Sequence, residues 1–130
     1  MDSIASEKFI GLLRRIAAFA RDNKKEDDET IVRHIYDLHL IKDTLFINPS
    51  IKNLIYKVIK SDVEQFGNQS HEFRDNPIGE LKYALRILSE DPVYEDRYNK
   101  FIGPLVYHPM PAGWNEAIAT ILRLASVWLV

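Results

Sequence analysis

The chain has 130 residues, 46% of them hydrophobic, and its 17 Lys and Arg against 19 Asp and Glu leave a formal net charge of -2. A chain of this length buries roughly 65 to 70% of its unfolded surface, enough for one core, and the charge balance excludes the basic excess of a self-sufficient nucleic-acid binder. The lack of cysteine excludes disulfides and thiolate metal sites, and no apolar run approaches the ~20 residues that span a bilayer, so the expectation is one cytoplasmic domain over residues 1–130, with no membrane partner.

In chain order, Phe9, Leu13, Ile16 and Ala20 recur at helical spacing beside Leu12 and Phe19, which predicts a first helix from Asp2 to Arg21. The charged run over residues 22–29 breaks the apolar pattern and reads as a solvated connection. Ile31, Ile35, Leu38, Ile41 and Leu45 then define a second helix ending near Asn48-Pro49-Ser50. Three further helices are announced by one device, an Asn or Asp cap before a Pro in the first turn, at Asn48-Pro49, Asn76-Pro77 and Asp91-Pro92. The polar stretch over residues 67–75 reads as a loop. Residues 103–113, with Pro104, Pro109 and Pro111, read as an irregular connection. A sixth helix starts at Trp114, with Ile118, Ile121, Leu122 and Ala125 inward, and no strand pair is visible. The fold class is all-α, with about six helices. Trp128 taken alone reads as core. The run to Val130 nevertheless ends without a polar stop, which predicts an exposed apolar patch at Trp128, Leu129 or Val130 and self-association, or a missing partner, through that helix.

Lys8, Leu12 and Arg15 fall along one stripe of the first helix, and Arg33 and Asp37 stand four apart on the second. By spacing alone, Lys8 is a surface lysine and Arg33 with Asp37 an ion pair worth about 0.3–0.5 kcal/mol. Arg14 and Arg15 read as surface charges. Among the four histidines, His34 and His39 leave a helix on different faces while His71 and His108 fall in loops, so no metal-ligand spacing emerges. Tyr94, Tyr98 and Tyr107 read as core with their hydroxyls at the rim.

The segments Glu7-Lys8, Leu12-Leu13-Arg14-Arg15 and Arg33-His34-Ile35-Tyr36-Asp37-Leu38, in this order, resemble the C-terminal half of the nucleotidyltransferase toxins of the AbiEii/AbiGii abortive-infection family. Glu95-Asp96-Arg97-Tyr98, the loop to Pro111 and the helix from Trp114 are loosely similar to the family's tail. The resemblance implies the helical lobe of a two-lobed toxin–antitoxin enzyme of phage defence. In such an enzyme the other half carries a Gly-Ser loop and a paired-aspartate motif that binds the catalytic metal. Carried over by position, Lys8 contacts nucleotide phosphates, Asp37 is the later catalytic carboxylate, and Arg15 and Arg33 support substrate binding. Mg2+ and a nucleoside triphosphate are implied as cofactor and donor, RNA as acceptor, and the N-terminal lobe or a cognate antitoxin as partner.

The five glycines are dispersed, and none opens a Gly-Ser loop followed by Asp-x-Asp. Nucleotidyl transfer rests on positioning and on charge stabilisation by metal and cation, so these 130 residues are expected to be inactive alone and to represent a fragment or truncated homologue. The competing expectation is a stand-alone helical interaction module.

Overall fold

The first helix buries residues on more than one stripe, Phe9, Leu13 and Ile16 together with Ile10, Leu12 and Ala17, as a helix surrounded by others must. The computed structural model describes residues 2–22, 28–105 and 113–129, and the side chains of all of these but 2, 3 and 103–105. Among the described residues there are eight helices and no strand: α1 (Asp2–Arg21), α2 (Val32–Leu40), α3 (Lys42–Phe46), α4 (Ile51–Phe66), α5 (His71–Asp75), α6 (Pro77–Glu90), α7 (Pro92–Leu105) and α8 (Trp114–Trp128). The chain is all-α. Helix α1 packs against α6, α4 and α2, and α2 in turn packs against α8 and α7. One apolar cluster runs through all eight helices, and each fully buried Leu, Ile or Phe in it contributes about 1.5–3 kcal/mol.

Eight helices replace the expected six for two local reasons. The second predicted helix is broken at Ile41, whose φ of -105° and ψ of 13° leave the helical region although neither Gly nor Pro is present. The break lets α3 bury Leu45 while Phe46 slides beneath Arg123 of α8, whose guanidinium lies 4.2 Å from the ring centroid. The predicted loop over residues 67–75 holds the single turn of α5, where Ser70 Oγ accepts from the backbone N–H of Phe73 and the Phe73 ring is buried.

The cap-and-proline device works at two of its three positions. Asn76 Oδ1 accepts from the Gly79 N–H with Pro77 in the first turn, and Asp91 Oδ1 accepts from the Val93 N–H at the start of α7. At Asn48 the side chain instead accepts from both the backbone and the hydroxyl of Ser50, forming a local turn, and α4 begins only at Ile51. Helix α7 also runs through Gly103 and Pro104 to Leu105 before the connection begins. The expected connections over residues 23–27 and 106–112, with Tyr107 and His108, lie outside the described residues.

The C-terminal end corrects the expected exposed patch. Trp128 and Leu129 are each 2% exposed, because the indole meets the Phe9 ring edge-on at 4.9 Å and closes the core; Val130 lies outside the described residues. The exposed apolar side chains of α8 are Leu122 and Val127. Tyr94 and Tyr98 are core as expected, and burial pushes the Tyr98 phenol up to about 12.

Candidate functional site

Ala5 and Leu38 are buried where α1 meets α2, and that contact brings the neighbouring polar positions of the two helices together. Lys8 Nζ donates to Asp37 Oδ2 at 3.1 Å across 29 positions of sequence, and both side chains are about one-third exposed. They stand on the wall of an open cavity of about 490 Å³ whose other lining residues are Ile4, Ala5, Leu38, Leu40 and Ile41. Ile4 and Leu40 are more than half exposed at its rim. An exposed pair of this kind adds only about 0.2–1 kcal/mol to stability, so its placement at a cavity is the informative fact.

The two arginines expected beside this pair go elsewhere. Arg33 does not hold Asp37; its guanidinium lies over the Phe101 ring, 5.5 Å from the centroid, because α2 packs against α7 on that side. Arg15 pairs with Asp28 at 3.4 Å and lines a different cavity with Arg14 and Asp62. Arg14 itself is not a plain surface charge. It is 17% exposed, donates to Asp62 at 3.2 Å and stacks 3.7 Å over Phe66, and burial pulls its guanidinium below the usual value against the opposing pull of Asp62.

Sequence reasoning weighed His34 only as a metal ligand, with Asp37 three positions on as its one workable partner, and set it aside; in the structure it stands between the two charge pairs. Its Nδ1 is buried without a hydrogen-bond partner, and burial, then Arg15 and Lys8, push its imidazole below the usual value while Asp37 and Asp28 act the other way. The unusual step here is a half-buried histidine placed among cations, and the Arg-His-x-Tyr-Asp spacing was its only signal. His39 was likewise set aside as a metal ligand, and its actual role was not foreseen: its Nδ1 lies 2.7 Å from Thr120 Oγ1, a pairing across 81 positions that no local pattern announces.

A divalent cation does not fit the Lys8–Asp37 cavity as these residues stand. It presents one carboxylate, already engaged by an ammonium, and no group of three or more His, Cys, Asp or Glu side chains suited to a metal occurs among the described residues. Nor is any helix among them long and apolar enough to cross a membrane.

Fold and site together define a small helical domain that presents a paired lysine and carboxylate to an open, otherwise apolar cavity. The family model described as nucleotidyl transferase AbiEii toxin, Type IV TA system, matches residues 1–122, and the chain belongs to that family. No curated protein and no solved structure matches it.

Proposed function

We propose that this chain is the helical lobe of an AbiEii-type nucleotidyltransferase toxin, with Lys8 and Asp37 facing the nucleotide and the metal-binding carboxylates supplied from outside these 130 residues. One observation carries the reading: a lysine and a carboxylate 29 positions apart meet at 3.1 Å on the wall of one open cavity. A cation for phosphate and a carboxylate for a proton must reach the same bound nucleotide.

The chemistry assigned to this chain is limited to what its own groups do. The Lys8 ammonium donates to a phosphate oxygen of the donor triphosphate. Asp37 accepts the proton of the acceptor hydroxyl as its oxygen bonds to the α-phosphorus and the bond to pyrophosphate breaks. The acceptor is RNA in this reading, and the apolar rim of Ile4 and Leu40 is the surface that the second lobe or the nucleobase covers. An antitoxin is the further partner, and the setting is the cytoplasm. Arg15 and Arg33, which stand away from the cavity, are left to substrate contacts beyond it. The alternative, a helical interaction module or homo-oligomer, rests on Leu122 and Val127, exposed on α8.

Transfer of label from a nucleoside triphosphate to RNA tests the proposal, with the coding sequence upstream of Met1 read for the Gly-Ser and Asp-x-Asp half. The isolated chain transfers nothing. Joined to that half it transfers, and Lys8→Ala and Asp37→Asn each abolish the activity. Transfer by the chain alone, or transfer that survives both substitutions, overturns the proposal.

A further inference from the structure

Three elements converge on a further cavity, of about 360 Å³, beside the α2–α3 break. It is lined by His39 at the end of α2, Lys42 and Phe46 of α3, and Glu116, Thr120 and Arg123 of α8. Lys42 and Arg123 form no ion pair among the described residues, although six other ion pairs occur there. Arg123 is held in place all the same, its guanidinium carbon 4.2 Å from the Phe46 ring centroid. Behind them His39 is 9% and Thr120 6% exposed, and the 2.7 Å contact between them fixes the imidazole through Nδ1. That leaves Nε2 as the ring nitrogen available to a ligand.

A rigid fork of guanidinium donors, an ammonium and an anchored imidazole around one concavity match a group with several acceptor oxygens and negative charge. We propose that this cavity is a phosphate-binding subsite, in which Lys42, Arg123 and the Nε2 edge of His39 hold the phosphate of a nucleotide or of a polynucleotide strand. Glu116 shares the cavity and is exposed, so its carboxylate opposes the anion and limits affinity. Burial of the ring, and after it Lys42, disfavour the imidazolium in the free protein, with Glu116 and Asp43 pulling the other way. A bound phosphate adds negative charge beside the ring and moves His39 toward protonation, which turns Nε2 into a donor. The subsite requires no part of the Lys8–Asp37 reading.

The test follows the His39 ring signals by NMR during titration with inorganic phosphate, in parallel with fluorescence anisotropy of a labelled oligoribonucleotide. Phosphate shifts the His39 signals saturably and raises its pKa. Lys42→Gln and Arg123→Gln each weaken binding roughly tenfold, Arg123→Lys recovers only part of the loss because it keeps the charge but not the fork, and Glu116→Gln strengthens it. If a strand is the source, the oligoribonucleotide binds more tightly than phosphate, and its logarithmic salt slope falls by about 1 in each Gln variant. If a mononucleotide or free phosphate is the source, phosphate alone produces the full response. Lys82→Gln, at an exposed lysine of α6 that lines neither this cavity nor the Lys8–Asp37 one, leaves the response unchanged, which separates the subsite from general attraction of anions to surface lysines. Melting curves confirm that the variants fold. Absence of a saturable response to either ligand, or responses identical in the wild type and both Gln variants, overturns the assignment.

Discussion

Trp128 stands edge-on to Phe9, ring centroids 4.9 Å apart and planes at 89°, so the last turn of α8 is locked onto α1 one residue from Lys8. Removing the indole deletes a buried aromatic and opens a cavity under α1. Trp128→Ala is expected to cost about 3–5 kcal/mol of stability and Trp128→Phe distinctly less, read from urea unfolding midpoints. A Trp128→Ala cost below about 1 kcal/mol would mean that α8 is not part of the core.

In the proposed function the Lys8–Asp37 pair serves binding more than stability. Lys8→Ala and Asp37→Ala should each change unfolding free energy by less than about 1 kcal/mol, as exposed pairs do. The same variants should abolish transfer in the complete enzyme. A large stability loss with activity retained would reverse these roles.

Arg14 and Asp62 lie at the opposite extreme. Both are 17% exposed, so Asp62→Ala strands a half-buried guanidinium that Phe66 alone cannot satisfy, and a loss of about 1–3 kcal/mol is expected. Asp96→Ala, which breaks the exposed pair with Lys100, should stay within about 0.5 kcal/mol. Equal costs at the two sites would show that burial does not set the value of these pairs.

His34 and His39 make stability depend on pH in a definite direction. Both are pushed below 6.5 chiefly by burial: His34 faces Arg15, Lys8, Asp37 and Asp28, and His39 faces Lys42, Glu116 and Asp43. Each folded pKa lies below its unfolded value, so the unfolded chain binds more protons there. Their contribution is therefore complete above pH 6.5 and is lost as pH falls from 6.5 toward the folded pKa. Unfolding midpoints should drop between pH 7.5 and 5.5, and His39→Gln should flatten that drop. A midpoint that rises on acidification would contradict the sign.

Much of the fold could be read from apolar spacing. The first helix keeps its expected bounds because Phe9, Leu13 and Ile16 repeat at helical spacing through its middle turns, and the caps at Asn76 and Asp91 act locally. What escaped was set by distant contacts. Ile41 breaks a helix because Phe46 is drawn beneath Arg123, about eighty positions away, and Trp128 is covered by a ring near the other end of the chain. At the site, the resemblance implied a shared location for Lys8 and Asp37, and α1–α2 packing provides it. The i,i+4 spacing predicted an Arg33–Asp37 ion pair that does not form, because the Phe101 ring competes for the guanidinium, and neither spacing nor resemblance announced the pairing of His39 with Thr120, which depends on how α8 closes over α2.

Because Lys8 and Asp37 neutralise one another, the first cavity shows the solvent a short dipole where a lone lysine would show a charge. A dipole's field fades faster than a charge's, and beyond a Debye length of about 10 Å in 0.1 M salt little of either survives. An anionic ligand is therefore not drawn in from a distance. Under the proposed function its encounter rate at this cavity should be ordinary and nearly indifferent to ionic strength, selection falling to the moment of contact, when the ammonium would exchange the carboxylate for a phosphate.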